Sequence, residues 1–322
     1  MTNVLDRLPE GARVAVIRLR SLGDSVLTTP ALVLLKQFRP DLKLSVVVED
    51  NFAAVFTGNP DVDQILAPNA ASLARLRPHL ALNLHGGATS VRLMLAAASG
   101  LRAGFGHFRF QPMYNIRIPR AQEILGPEIL KMDRKVHTAE HLASAMFYLG
   151  VPQSEIPRAR LFAAPFSRSG PYAVLHPLAS SPEKTWPREN FLAVAKHLRD
   201  LGIEPLFVAG ADEDLSAFGE HCCFQGAALE EVKSLLAGAS LFVGNDSGPA
   251  HIAAAFGRPV IVLFGSSDVE NWSPWRTENA VLTSPNGINS IEVSEVAEAI
   301  DRLVPQPTPH FLQPTPHLPQ PR

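Results

Sequence analysis

Cysteine is scarce in this chain, and neither sign of charge is in clear excess. The 322 residues include two adjacent cysteines, Cys222 and Cys223. This pair excludes a disulfide framework and a cysteine-rich zinc module, and it is typical of a reducing, cytosolic compartment. The 29 lysines and arginines are balanced by 31 aspartates and glutamates. A general nucleic-acid binder would show a basic excess, so we expect no nucleic-acid partner.

Long hydrophobic runs are also missing. The apolar stretches all fall well below the ~18 residues that suggest a membrane span. The first residues carry Asp6, Arg7, Glu10 and Arg13, and they lack the apolar stretch of ~7–15 residues that marks a signal peptide. The sequence therefore predicts a cytoplasmic protein without a transmembrane segment, which leaves open a role at a membrane surface.

The common nucleotide-binding and hydrolase motifs are absent as well. There is no G-x-G-x-x-G fingerprint, because Gly104-Phe105-Gly106 neither follows a convincing strand nor opens a helix. There is no phosphate loop of the form G-x-x-x-x-G-K-[ST] and no G-x-S-x-G elbow. Dehydrogenase, ATPase and hydrolase functions are therefore disfavoured.

What the sequence does contain is a regular alternation of apolar runs and helix-period segments. The runs are continuously apolar, as in strands that are buried on both faces of a parallel sheet, and the alternation predicts a doubly wound α/β fold. The predicted strands are Val14–Leu19, Leu44–Val48, Leu80–Leu84, Tyr172–Leu175, Pro205–Val208, Leu241–Val243 and Val260–Phe264.

Length and proline placement predict the domain organisation. At ~100–200 residues per domain, the chain is long enough for two domains. Prolines cluster in residues 151–171, which we interpret as a linker, and we place the domains at residues 1–160 and 161–304. Residues 305–322 hold seven of the 28 prolines, and we expect a disordered tail there.

Polar and small residues gather just after several of the predicted strands. Ligands of open parallel sheets bind outside the carboxyl ends of the strands, so these positions predict a binding site. The residues that follow a predicted strand in this way are Ser21, Gly23, Asp24, His85, Ser180, Ser181, Asp212, Glu213, Asp246 and Ser247.

The segment from Asn245 to His251 is suited to binding a phosphate. Gly248 fits a helix N-cap, and Pro249 fits the first helical position, where its missing N–H costs nothing. The free amides that follow would attract an anion. The alternative is that Asp246 and Ser247 only cap the helix, and that His251 is a core residue.

Asp24 and Lys184 also have two interpretations each. Asp24 lies on the first strand-to-helix turn, where it is either a general base facing an acceptor hydroxyl or an acid that interacts with the helix dipole. Lys184 is either a cation for a leaving phosphate or an exposed surface lysine.

Three ordered motifs resemble glycosyltransferase family 9, the ADP-heptose:lipopolysaccharide heptosyltransferases. The first is Val16–Asp24 followed by Leu27–Leu32. The second is His176-Pro177 with Glu183–Pro187, and the third is Gly244–Ala255. The likeness extends over about residues 14–304. It implies a GT-B fold, in which two Rossmann-like domains face each other across a cleft, and a last helix (Ser294–Leu303) that crosses back to the N-terminal domain.

The resemblance also implies an inverting transfer with no metal and no other cofactor. It makes Asp24 the catalytic base and Lys184 the cation at the donor phosphates. Donor contacts are implied for Ser180, Ser181, Asp212, Glu213, Asp246, Ser247, Gly248 and His251. On the acceptor side we place Ser21, Gly23, His85 and Arg92.

The resulting hypothesis is a heptosyltransferase that uses ADP-heptose and the lipid-linked lipopolysaccharide inner core. Such an acceptor implies peripheral contact with the inner face of the cytoplasmic membrane. Two alternatives stay open. One keeps the fold and uses another nucleotide-diphosphate sugar with a glycan acceptor. The other is a non-catalytic nucleotide-sugar-binding protein. The presence of both Asp24 and Lys184 argues against this second alternative.

Overall fold

The computed structural model describes residues 3–126 and 135–304. The predicted proline-rich tail lies outside these residues. Within them, no helix combines the length and the hydrophobicity that crossing a membrane requires. Two α/β halves are present, which we call the N-terminal half (residues 3–126 and 135–149) and the C-terminal half (residues 172–304).

The N-terminal half alternates strands and helices along most of its length. Its strands are β1 Arg13–Ile17, β2 Lys43–Val47, β3 Gln64–Leu66, β4 Leu80–Asn83, β5 Leu101–Phe105 and β6 Ile116–Ile118. Its helices are α1 Leu22–Phe38, α2 Asp50–Ala53, α3 Ala70–Leu76, α4 Ala88–Ala96, α5 Ala121–Leu125 and α6 Thr138–Leu149.

The C-terminal half repeats this alternation. Its strands are β7 Tyr172–His176, β8 Glu204–Ala209, β9 Cys222–Gln225, β10 Leu241–Asn245, β11 Val260–Phe264 and β12 Asn279–Thr283. Its helices are α7 Arg188–Asp200, α8 Leu229–Gly238, α9 Gly248–Ala255, α10 Val269–Trp272 and α11 Val293–Leu303. A short 3-10 turn, Pro182–Lys184, lies between β7 and α7.

Each half contains one six-stranded parallel sheet with the same strand order. The orders are β3-β2-β1-β4-β5-β6 and β12-β11-β10-β7-β8-β9. This is the Rossmann order, in which the strand sequence reverses beside the first strand and leaves a crevice there. The predicted doubly wound α/β architecture is therefore confirmed, with a switch point beside β1 in one half and beside β7 in the other.

The strands that the sequence did not predict are mostly short or half-exposed. They are β3, β5, β6, β9 and β12. The edge strand β9 is mostly exposed, so it lacks the continuous apolar run that marks a buried strand. Strand β5 ends in Gly104 and Phe105, which corrects the view that Gly104-Phe105-Gly106 does not follow a strand.

The two halves share one apolar cluster at their junction. That cluster includes Val26 and Leu27 of α1 together with Ile252 and Ala253 of α9. Helix α1 packs on both α6 and α9, so the first helix of the N-terminal half holds the C-terminal half in place. Residues 151–171, which connect the halves, form neither helix nor strand.

The last helix differs from what the family resemblance implied. Residues 294–303 belong to α11, which packs on α7, β11 and β12 of the C-terminal half. Its buried residues, Val296, Ala299, Ile300 and Leu303, join the apolar cluster that contains Trp186 and Phe191. The expectation that this helix crosses back to the N-terminal domain is therefore wrong: its apolar stripe is buried by its own sheet.

Candidate active site

A cavity of about 930 Å³ lies between the two halves. Its walls are the carboxyl ends of β7 and β8, the start of α8 and the start of α9, and it is closed by the first turn of α1 and by α2. This is the position that the strand-end rule assigns to a ligand. Strand ends of the C-terminal half therefore supply most of the lining.

The first turn of α1 carries an acidic side chain held from two sides. The Arg18 guanidinium forms an ion pair with Oδ1 of Asp24. The Ser21 hydroxyl donates a hydrogen bond to Oδ2 of Asp24 at 3.2 Å. Arg18 is itself fixed by a 2.6 Å hydrogen bond to the Leu84 carbonyl. Burial lowers the pKa of Arg18 to about 10, so this partner is charged at neutral pH and the Asp24 carboxylate faces a cation.

The turn that carries Asp24 touches the start of α9 directly. A Cβ atom on Gly23 would lie 2.7 Å from Cδ2 of His251, and one on Gly248 would lie 2.6 Å from Cδ2 of Leu22. Real Cβ atoms essentially never come this close to a neighbouring heavy atom. Both positions therefore need glycine so that the two helix starts can approach, and this approach puts Leu22 and Gly23, the residues directly before Asp24, against α9.

The N-terminus of α9 faces the cavity with a hydrogen-bonded serine. Ser247 is the N-cap and Gly248 the first helical residue, one residue before the cap position that we expected. The Ser247 hydroxyl lies 3.1 Å from Nδ1 of His176, and Nε2 of His176 lies 3.6 Å from Glu213. The contact with His176 lowers the pKa of the Glu213 carboxyl; burial opposes this effect, and the Gly210 amide adds to it. Glu213 is thereby held as an anion.

Asp246 lines the cavity, and the charge of Lys184 acts on it. Burial raises the pKa of the Asp246 carboxyl, while the Ser267 hydroxyl and the Lys184 charge oppose that rise. The turn that carries Lys184 is fixed by the Trp186 amide, which donates to Oδ1 of Asn245 at 3.1 Å. A methyl group at Gly265 would overlap the Glu183 carbonyl oxygen, so this turn packs directly against the end of β11.

Comparison with known proteins decides the family. The model of glycosyltransferase family 9 (heptosyltransferase) matches residues 71–298, which is more than half of the chain. The chain belongs to glycosyltransferase family 9. A relative of this glycosyltransferase, lipopolysaccharide heptosyltransferase 3 of Escherichia coli K12, is 28% identical over 296 residues. These residues cover 82% of this chain and 85% of the relative.

Solved structures agree on the fold of this glycosyltransferase. A family 9 glycosyltransferase from Veillonella parvula superimposes with a TM-score of 0.79 at 21% identity, over 91% of this chain and 97% of that one. The E. coli heptosyltransferase WaaC with ADP gives 0.73 at 22% identity, over 91% and 100%. The predicted GT-B fold is therefore confirmed, and the protein is a transferase enzyme.

Most of the site residues predicted for the glycosyltransferase line the cavity. Two others are not in the lining: Asp24 directly follows the lining residue Gly23, and the Lys184 charge acts on the lining residue Asp246. Ser181 lines a smaller neighbouring cavity together with Ser180. The predicted residues in the main lining are Ser21, Gly23, Ser180, Asp212, Glu213, Asp246, Ser247 and Gly248.

Three predicted residues lie away from the cavity lining. His251 is buried against Gly23, and burial lowers its pKa to about 3, so it is a neutral side chain in the contact between α1 and α9. His85 lies near Arg18 and Arg20; burial is the main cause of its lowered pKa, and both arginines add to it. Arg92 is exposed on α4.

The structure adds cavity residues that we did not predict. Asp50, Asn51 and Phe52 line it from α2, and they follow β2 as the strand-end rule requires. Gly226 to Glu230 line it between β9 and α8; they escaped notice because β9 was not recognised as a strand. His176 also lines the cavity, although it was singled out only as part of the second motif.

No metal centre is evident within residues 3–126 and 135–304. Among these residues, His, Cys, Asp and Glu side chains form no group of three or more that could hold a metal ion. Near the cavity, Arg18 pairs with Asp24, the charge of Lys184 acts on Asp246, and the α9 N-terminus adds backbone amides.

Proposed function

We propose that this family 9 enzyme transfers a heptose from ADP-heptose to a sugar of the lipopolysaccharide inner core, with inversion and without a metal. The observation that carries this proposal is the contact between the first turn of α1 and the start of α9. It brings the turn that carries Asp24 against a helix whose N-terminus would suit a diphosphate.

Asp24 would act as the general base. Each carboxylate oxygen has about two lone-pair sites. Those of Oδ2 face the amide and the hydroxyl of Ser21 at 3.4 and 3.2 Å, and a sugar hydroxyl would replace one of these two long contacts. The ion pair with Arg18 would hold the carboxylate in one orientation before the reaction. Removal of the hydroxyl proton as the new bond forms is the task of such a group.

The departing diphosphate would be held by the C-terminal half. Ser180, Ser247 and the start of α9 line the cavity, and Lys184 is close enough for its charge to act on the lining residue Asp246, so together they would contact the phosphates. Positive charge and donors fixed in advance stabilise negative charge that develops on a leaving group. These residues would thus stabilise the leaving group, as a divalent cation does in other enzymes.

The other end of the cavity would hold the nucleoside. Gly226, Ala227 and Ala228 present little side-chain bulk there, so a flat base can approach, while Asp212 and Glu213 offer carboxylates to ribose hydroxyls. Support for adenine and for heptose comes from relatives, because WaaC was solved with ADP and with ADP-2-deoxy-2-fluoro heptose.

The acceptor would approach from the N-terminal half, past Ser21 and Gly23. In this division of labour residues 1–160 bind the acceptor and residues 161–304 bind the donor. The relatives named for lipopolysaccharide support a lipid-linked core as acceptor. We propose peripheral contact with the inner face of the cytoplasmic membrane, where such an acceptor would be presented.

Nucleotide binding followed by a transfer assay tests this function. We expect ADP to raise the melting temperature more than UDP or GDP does, since a ligand that binds the native state stabilises it. ADP-heptose and a heptose-free lipopolysaccharide core should then yield a heptosylated product with inverted anomeric configuration. Preference for UDP would contradict the donor assignment, and tight ADP binding without transfer to any core acceptor would favour a binding protein.

A further inference from the structure

Lys233 is a fully buried lysine at the junction of the two halves. It lies on α8 of the C-terminal half, and its side chain is 0% exposed. Lysines are almost never fully buried unless they are paired, because taking an ammonium out of water is costly. An apolar side chain would pack well at this helix position. The presence of a lysine therefore needs a reason other than packing.

The Lys233 ammonium joins two walls of the cavity. Its Nζ donates to the Ala54 carbonyl at 2.6 Å and to Oε2 of Glu230 at 3.0 Å. Ala54 ends α2 in the N-terminal half, whereas Glu230 lies in the first turn of α8. Both Ala54 and Glu230 line the cavity, at the end assigned above to the nucleoside.

The geometry points to Lys233 as a positioning residue that couples nucleotide binding to the closed arrangement of the two halves. Its bond to Glu230 stays within one helix, so that bond survives if the halves separate. Its bond to Ala54 crosses the junction and exists when α2 stands against α8. Lys233 therefore fixes the distance between the Glu230 carboxylate on one wall of the cavity and the Ala54 carbonyl on the opposite wall.

The chemistry of this arrangement favours a nucleoside ligand at the same place. Glu230 is about half exposed and accepts from Lys233 through one oxygen, which leaves the other oxygen for a ribose hydroxyl. The carbonyl of Ala54 also accepts from the Thr57 amide at 3.3 Å, so the shorter bond from Lys233 is the one that ties this carbonyl to α8. Without the lysine, the cavity would lose this direct link between the wall that carries Ala54 and the wall that carries Glu230. This inference rests on the proposed function for the identity of the nucleotide alone.

Replacement of Lys233 by methionine is the central test. Methionine has a similar length and adapts to irregular core space, and the Glu230 carboxylate that it leaves without its partner is about half exposed and can be hydrated. We expect Lys233→Met to change the melting temperature little, yet to weaken ADP binding about 5- to 150-fold, the usual range of coupling between sites. The KM for the donor should rise more than kcat falls.

Two further variants separate coupling from local charge. Glu230→Gln should weaken ADP binding as well, and the double variant should lose less than the two single losses combined, because the residues act as one unit. Glu231→Gln alters the neighbouring, exposed position on α8 and should bind ADP like the unaltered protein. Additive losses for Lys233 and Glu230, or ADP affinity unchanged in Lys233→Met, would overturn the inference.

A measurement without ligand keeps the inference distinct from the proposed function. The amides of Val55 and Phe56 bond to carbonyls within α2 and its end. In Lys233→Met these amides should exchange with deuterium several-fold faster, because α2 has lost the hydrogen bond from Lys233 to the Ala54 carbonyl. Unchanged exchange would overturn the coupling role whatever nucleotide binds. Failure of the unaltered protein to bind ADP would instead contradict the proposed donor.

Discussion

The two halves of this glycosyltransferase share a strand order and differ in what their strand ends carry. After β1 of the N-terminal half comes an ion pair, Arg18 with Asp24. After β10 of the C-terminal half come Ser247, whose hydroxyl lies against His176, and a helix N-terminus that lines the cavity. One scaffold thus presents a carboxylate suited to take a proton, and the other presents donors suited to hold an anion. Identical topology does not decide which chemistry a half performs.

The largest expected effect concerns the carboxylate of the N-terminal half. Asp24→Asn should lower kcat about 10²- to 10⁴-fold, the usual contribution of a general base, because the amide cannot accept the hydroxyl proton. ADP affinity, measured by calorimetry, should stay within about twofold. Ser21→Ala, which removes one hydrogen bond to the same carboxylate, is the control and should cost far less. Equal losses in both variants would contradict the base assignment.

The second prediction concerns the cation of the C-terminal half. Lys184→Met should weaken ADP binding about 10- to 150-fold, because a hydrogen bond to a charged group is worth about 1.5–3 kcal/mol. Lys196→Met serves as the matched control, since Lys196 pairs with Asp200 on the surface of α7. If both variants bind ADP equally well, Lys184 is a surface lysine and the division of labour between the halves is lost.

The third prediction tests the packing that holds the Lys184 turn in place. Gly265→Ala should lower the free energy of unfolding by about 1–3 kcal/mol, the usual cost of overpacking, because the added methyl overlaps the Glu183 carbonyl oxygen. Denaturant unfolding would measure the loss. In the N-terminal half, Gly100→Ala meets nothing within 4 Å and should change stability little. If Gly265→Ala is as stable as the control, the turn that carries Lys184 can shift to make room for the methyl group, and the packing argument is wrong.

The smallest expected effect is a pH dependence built into the N-terminal half. Burial is the main cause of a pKa of about 4 at His141, to which His107 and Arg18 also contribute. The unfolded chain therefore takes up a proton below pH 6.5 while the folded protein does not, so stability falls as the pH falls from 6.5 towards 4.

The size of this effect follows from the pKa difference. Each pH unit below 6.5 should cost about 1.4 kcal/mol at His141, so the loss at pH 5.5 is about that much. His141→Gln should show a loss smaller by this amount between pH 7.5 and 5.5 in denaturant titrations. A parallel pH dependence in the two proteins would contradict the burial of His141 as the cause.

The sequence predicted the buried strands well and the edges poorly. Strand β11 spans Val260–Phe264 as predicted, because five successive apolar residues fit a strand that is covered on both faces. Strand β9 was missed because its residues are mostly exposed. That omission hid the cavity residues from Gly226 to Glu230, so an error in one edge strand became an error in the site.

Site residues were predictable where they directly follow a buried strand. Ser180, Asp212 and Asp246 line the cavity or its edge for that reason. His251 is different, because its place in a motif does not say which way the helix faces. Because α9 packs on α1, the His251 side chain points into the contact between the two halves. The periodicity of α9 alone could not indicate this direction.

The amino-acid sequence by itself determined the alternation of strands and helices, the connecting segment and the motifs of the family, since all of these are local patterns. The tertiary structure alone decided which distant residues meet. Gly23 lies against His251 and the Lys233 ammonium reaches the Ala54 carbonyl, 179 residues away in sequence. These contacts depend on how α1 packs against α9 and α2 against α8. The apolar surfaces that bring the halves together are buried jointly, so no single segment records the result.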